Sequence, residues 1–456
     1  MRRTDLRDML FIRTSLPFPS GAVKLGHDSM EVNVMRTRRR AGLLLLVGLG
    51  AASAAIAQET PPQDSLAERV QRLEETVERL QRQLEEQAQS KVQSRLRNRV
   101  ELSGLVLVNG FYNGARVNNS DVPQFVVNPQ DTTGLPNSHL GGAIRQTRLG
   151  ITMSGARALG GDLSADLQMD FFGGQQASGG GRTRPLLRVR TATAKVDWPH
   201  IGLLVGQESP LVAPHNPVSF AANGTPGFAT SGNLWFWIPQ VRLTLVTGTR
   251  VRFGIQGAAL APMQPSPQPA FDTQPDSAEK SGRPTAEGRV YVGWGSEDTE
   301  SQIGFGIHRG WISTVGDTLL TSEAYTADLH LAIGDKVSIL GEAFFNGLAL
   351  SGLGGGGIGQ NQGALGVPVR TQGGWVQLNV RPTFAWEMGG GYGFDDPEDT
   401  DLPATGRIKN VSYEGHLHWR PGGGLLMGLE FRRIETTYYP GVIAANHLNW
   451  FAGVAF

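Results

Sequence analysis

The chain has 456 residues, of which 39% are hydrophobic and 61 are glycine, with no cysteine and a formal net charge of zero. No uninterrupted apolar run reaches the roughly 18 residues that a membrane helix needs, so a bundle of spanning helices is excluded. The missing thiols exclude disulfide frameworks and thiolate metal centres.

Taken in chain order, the first element is an export segment. Arg36, Arg38, Arg39 and Arg40 precede an apolar core at 41–50, and Ala55-Ile56-Ala57 has the small-x-small form of a cleavage site before Gln58. Residues 1–57 are therefore expected to be removed, with Met35 as the expected true start. Their loss takes away nine basic and four acidic residues, leaving 32 against 37, a net of −5. That balance is not the footprint of a nucleic-acid binder, and no nucleic-acid partner is expected.

A linker at 58–64 leads to the capping box Ser65-Leu66-Ala67-Glu68. Leu66, Val70, Leu73, Val77, Leu80 and Leu84 then recur at spacings of four and three, the seam of a short coiled coil over 65–97. Three heptads are marginal alone, so the stripe is expected to pair with copies of itself. Valine and leucine on such a seam nominally favour dimers, and the heptads by themselves do not dictate a trimer.

From 98 to 456 the period becomes two. Leu163, Ala165, Leu167 and Met169 alternate with Ser164, Asp166, Gln168 and Asp170; Leu425, Met427, Leu429 and Phe431 alternate with Gly428, Glu430 and Arg432. Alternation alone also fits a soluble sandwich. Three further features select a transmembrane antiparallel β-barrel of about 16 strands, an all-β fold. The polar face carries full charges on strand after strand. Short turns such as 247–249 and 333–336 alternate with long loops at 114–142, 208–240, 261–285 and 347–369, the asymmetry of a membrane barrel. The last segment, with Leu448, Trp450, Ala452, Val454 and Phe456 on one face, is expected to pair with the first, because lipid tolerates no open sheet edge. Trp450 and Phe456 also resemble the terminal signal read by the barrel-assembly machinery of the outer membrane. Outer-membrane lipid is thus an expected partner, with the coiled coil in the periplasm.

A barrel of this size encloses water, and its function lies in what narrows and charges the lumen. The loop from Glu208 to Gln240, with Pro214, His215, Phe220, Trp235 and Trp237, is expected to fold inward as the constriction. Basic side chains dominate the inferred inner face: Arg148, Arg188, Arg190, Arg242, Arg250, Arg252, Arg289 and Arg432, with Arg250 at a periplasmic end where it need not touch solute. They favour anions unless they are spent in ladders with acids such as Asp166, Asp170, Glu342, Glu387 and Glu414. The expected role is a porin giving passive diffusion of small polar solutes. A structural barrel that anchors the envelope through its coiled coil, without an open pore, is the alternative. No catalytic constellation is seen and no cofactor is expected. His416 and His418 share one face, but with no third ligand in view they read as a polar pair of the wall, and no metal site is expected. The run at 352–359 reads as a flexible glycine loop.

Over 144–243 the chain resembles the DcaP-like trimeric outer-membrane porins. The resemblance rests on Arg145-Gln146-Thr147-Arg148-Leu149-Gly150, on 162–173 ending in Asp170-Phe171-Phe172-Gly173, and on Leu187-Arg188-Val189-Arg190. Leu204-Val205-Gly206-Gln207 and Pro239-Gln240-Val241-Arg242 complete it. It implies a sixteen-stranded barrel, a homo-oligomer, expected as a trimer, tied by periplasmic helices, and a preference for small organic anions. By match, Arg148, Arg188, Arg190 and Arg242 would line the pore. One feature departs from the family: its members usually carry acids in the loop after the Gly-Gln pair, whereas 209–240 has none.

Overall fold

The computed structural model describes residues 99–128, 137–174, 185–264, 274–296, 299–314, 318–363, 366–439 and 441–456. The expected export segment and the heptad positions from Leu66 to Leu84 lie outside them. In chain order the strands are β1 (Arg99–Asn113), β2 (His139–Ala143), β3 (Arg148–Ala158), β4 (Gly161–Asp170), β5 (Arg188–Asp197) and β6 (Ile201–Glu208). Next come β7 (Ile238–Gly248), β8 (Val251–Leu260), β9 (Thr285–Trp294), β10 (Ser301–Ser313), β11 (Leu319–Ile333) and β12 (Val337–Leu348). The last five are β13 (Arg370–Thr383), β14 (Trp386–Pro397), β15 (Lys409–Gly422), β16 (Leu425–Tyr438) and β17 (Gly441–Ala455).

From β3 onward each strand pairs antiparallel with its successor, and β17 returns to β1, Leu105 opposite Ala455 and Asn113 opposite His447. The last residue completes the seam: the Gly104 N–H donates to the Phe456 carbonyl at 2.9 Å and the Phe456 N–H to that of Gly104 at 3.0 Å. Closure leaves no edge for lipid to meet.

One stave of the barrel is broken, because β2 and β3 pair with the same edge of β1 in different registers. Val106, Leu107 and Val108 face the four residues 144–147, a bulge. The Thr147 hydroxyl mends the ladder there, accepting from the Leu107 N–H at 3.1 Å. Counting β2 and β3 as one stave, the barrel has sixteen, as the alternation and loop pattern predict.

The pleat sorts the side chains. Val106, Val108, Leu243, Phe253, Ile255, Phe305, Leu417, Leu429 and Leu448 are exposed on the outer surface, while Asn109, Asn113, Arg148, Gln256 and Glu430 point inward. Trp386 and Trp419 stack at 5.9 Å near the short-turn end, and Tyr325 and Phe345 at 6.2 Å towards the long-loop end. Apolar bands edged by aromatic rings are the outer surface of a membrane barrel. At the seam the rings of Trp450 and Phe456 lie over Gly110 and Gly104, where a Cβ would come within 2.3 Å of each ring.

Candidate functional site

The interior is organised by one segment. Residues 209–237, between β6 and β7, are buried at every position except the half-buried Asn216 and Phe236. The segment is inside the barrel, and the wall grips its backbone by both polarities. Carboxylates and amides of the wall accept its N–H groups: Leu211 donates to Glu287 at 2.7 Å, His215 to Glu342 at 2.6 Å, and Val218 to Gln377 at 2.6 Å. Phe220 and Ala221 both donate to Glu430, at 2.7 and 3.1 Å, and Phe228 donates to Glu414 at 3.1 Å. Guanidinium groups of the wall donate to its carbonyls: Arg188 to Gly224, Arg190 to Asn223, and Arg242 to Ser209. Bonds to an ionised partner contribute about 1.5–3 kcal/mol each. The grip holds Phe228 and Thr230 at φ 57° and 63°, a left-handed backbone that costs an L-residue roughly 1–2 kcal/mol.

The absence of acids from 209–240 suits those parts of the loop whose amides meet carboxylates. The surfaces that receive this loop carry Glu287, Glu342, Glu414 and Glu430, and a carboxylate on the loop would meet like charge in surroundings that screen it poorly.

The five matched motifs converge on this loop. The Gln146 amide donates to Ala221 O at 2.6 Å and accepts from Gly224 N at 2.9 Å. Asp170 is fully buried and takes Arg188 at 2.6 Å and Arg190 at 3.3 Å. Phe172 packs against Gly224, where no Cβ would fit, and lies 4.1 Å under the Arg145 guanidinium. The Gln207 amide donates to the Arg190 carbonyl at 2.8 Å, and Gln240 donates to the carbonyls of Glu208 and Ser209 at 3.0 Å. Their shared task is to hold the root and turn of the inserted segment.

The other expected site residues fall as follows. Arg148 bonds Gln168, and Asp166 accepts from Thr152 and Thr191. Arg289 makes a forked pair with Asp328, at 2.8 and 2.6 Å. Arg252 sits at the short-turn end with Glu300 at 2.5 Å, so it belongs to that rim and not to the loop. Glu208 accepts from the Ser209 N–H. Pro214 is buried, His215 lies 3.3 Å from Asp328, Phe220 stands edge-on to His418 at 4.8 Å, and Trp235 meets Trp237 at 5.2 Å. Trp237 in turn lies under Arg190 at 4.3 Å.

Of the two roles open to the arginines, filter or ladder, their contacts with acids, amides and loop carbonyls match the ladder; Arg188, with 26% of its side chain exposed, keeps a solvent face. One reading changes. The run at 352–359 is not a free loop: Leu353 is buried and its carbonyl accepts from Trp235 at 2.8 Å and Phe236 at 3.1 Å. The first long loop also turns inward, with Asp121 and Val122 buried and the Pro123 carbonyl accepting from Arg432 at 2.9 Å. Two carboxylates that cap loop amides (Glu287, Glu430) and the amides Gln146, Gln240 and Gln377 were missing from the expected site, and Glu414 was expected on the inner wall only as a partner for arginine. Parity places them inside but names no partner.

No family model matches this sequence, and no curated protein matches it. Among solved structures the barrel is similar to the outer membrane channel DcaP of Acinetobacter baumannii. That match has a TM-score of 0.61 and 16% identity and covers 79% of this chain and 97% of the other. It is also similar to an anion-selective porin from Comamonas acidovorans, with a TM-score of 0.51 and 13% identity, covering 79% of this chain and all of the other. The expected resemblance to the DcaP-like porins therefore agrees with the fold.

Proposed function

We propose that this barrel is an outer-membrane porin, a passive channel for small polar solutes whose bore is set by residues 209–237. The observation that carries the reading is the pairing of an apolar outer surface with a charged lumen into which one loop is folded and hydrogen-bonded along its length. A packed soluble core has no use for buried charge on this scale, whereas a solute path needs a narrow, fixed and charged neck. The fold shared with a channel and with a porin supports the same reading. In this reading the long loops are external and the short turns periplasmic. The heptads from Leu66 to Leu84 join copies into a homo-oligomer, a trimer by the family resemblance, and Trp450 and Phe456 present the last strand to the barrel-assembly machinery.

The preferred solutes are small organic anions. Arg148, Arg188 and Arg190 face two acids, Asp170 and Asp166, leaving one net positive charge, and Arg188 presents it to solvent. Planar-bilayer recordings test both levels. The wild-type protein is expected to conduct and, in a salt gradient, to pass chloride over potassium. Arg188→Gln is expected to lower that preference by about two-fold, the effect of one screened charge. An unchanged reversal potential would remove Arg188 from the filter.

The near-complete burial of 209–237 favours one second reading, a barrel closed at rest that anchors the envelope through its coiled coil. Folded protein that inserts into bilayers without conductance would establish it.

A further inference from the structure

We propose that Glu387, His416 and His418 on the inner wall bind one divalent transition-metal ion of the zinc class. The acid nearest in sequence, Glu414, is engaged by Arg432 and the Phe228 amide, and strand pairing supplies a third ligand: in the ladder of β14 with β15, Glu387 stands opposite His418 and Gly389 opposite His416. Glu387 Oε1 lies 3.9 Å from His416 Nε2 and 3.7 Å from His418 Nδ1, and the three atoms fall within 4.8 Å of one another. Donors about 2.0–2.1 Å from a tetrahedral ion are roughly 3.3 Å apart, so small side-chain rotations close the set. The two rings are stacked, 4.4 Å between centroids.

Burial turns this proximity into an argument. Glu387, His416 and His418 are 2%, 8% and 0% exposed, and Glu387 Oε1, His416 Nε2 and His418 Nδ1 have no hydrogen-bond partner. Three converging polar atoms withdrawn from water at once are costly, and a single cation satisfies all of them. Both side-chain polar atoms of Asn379 on β13 are likewise without partners. Asn379 Oδ1 and His416 Cε1 fill the space that a Cβ on Gly389 would take, at 2.8 and 2.5 Å from it, so the glycine makes room for the cluster.

The surroundings are those of a ligand set. His418 Nε2 lies 3.0 Å from Glu430 Oε1; in the neutral ring that donates there, the Nδ1 lone pair would face Glu387, the carboxylate–histidine–metal arrangement. The second oxygen of Glu387 accepts from Arg381 and, at 3.2 Å, from Arg420, which leaves Oε1 aimed at the rings. Those two guanidiniums oppose a cation; Glu387 and Glu430 cancel their two charges, and the ion's own charge would have to be met by its remaining ligands. Selectivity then rests on the imidazoles, which favour zinc, nickel or copper over magnesium and calcium. Glu430 also accepts from Phe220, Ala221 and the Ser219 hydroxyl. The bound ion would thereby brace the carboxylate that anchors the inserted loop.

The test uses full-length protein in detergent, stripped with a chelator and then titrated with Zn²⁺ or Co²⁺, and it needs no conductance, so it stands apart from the channel reading. One ion per chain is expected, with a Co²⁺ ligand-field spectrum of nitrogen and oxygen ligation and no comparable uptake of Mg²⁺. His416→Gln and His418→Gln should each abolish stoichiometric binding, and Glu430→Gln should weaken it about 10- to 100-fold, the usual effect of losing an outer hydrogen bond. His308→Gln, at a separate buried histidine–glutamate pair, should bind as wild type does. Lack of a stoichiometric ion in the unmutated protein, a Co²⁺ spectrum without nitrogen ligation, or undiminished binding by folded His416→Gln would each overturn the proposal. The unmutated spectrum decides even if a variant fails to fold.

Discussion

Glu430 shows how much a single inward carboxylate of this barrel does. It accepts two backbone amides and one hydroxyl of the inserted loop and also faces His418. Glu430→Ala leaves the Phe220 and Ala221 amides buried without an acceptor, at about 1–3 kcal/mol for each donor. The expected outcome is a lower thermal transition and greater open-channel noise in bilayers; quiet recordings identical to wild type would place the anchor elsewhere. At this scale, parity along a strand is legible in the sequence and partnership is not. That Arg188 and Arg190 point inward follows from the alternation of β5. That they donate to Gly224 and Asn223 does not, because the acceptors come from a loop 36 and 33 residues further on.

The inserted loop and the closure seam are the two elements on which the rest depends. Replacing 211–236 with a short Gly/Ser linker removes contacts to β9, β12, β13, β15 and β16 without touching a ladder bond. Single-channel conductance is expected to rise several-fold while the barrel still folds; conductance at the wild-type level would show that the neck lies outside this segment. At the seam, Gly110→Val drives a side chain into the Trp450 ring. Weakened pairing of β1 with β17 is expected, read as unfolding at a lower temperature, and an unaltered melt would show that the seam tolerates bulk. The length, prolines and aromatic end of 208–240 pointed to an inward fold. The break between β2 and β3 leaves a local trace, since the four polar residues Arg145-Gln146-Thr147-Arg148 interrupt the alternation, but only the register against β1 makes it a bulge.

As a whole molecule, the protein turns water inward and hydrocarbon outward. Its exposed valines, leucines, isoleucines and phenylalanines form an outer surface far larger than a water-soluble monomer tolerates. The purified chain is expected to stay dispersed only in detergent or lipid, and to keep a β-type circular dichroism spectrum there. Monodisperse protein in plain buffer would contradict the barrel's environment and with it the channel reading.

The sequence by itself determined the class, the number of staves, which residues face each way and which loop is long enough to enter the bore. These follow from a period of two, from turn chemistry and from the ban on open edges in lipid, all of which act between near neighbours or on the chain as a whole. Only the tertiary structure decided what the inward charges are for. Contacts such as Glu387 with His416 and His418, or Glu430 with Phe220, join residues that no local pattern relates, and they exist because closing the cylinder brings distant strands and one long loop around the same small volume.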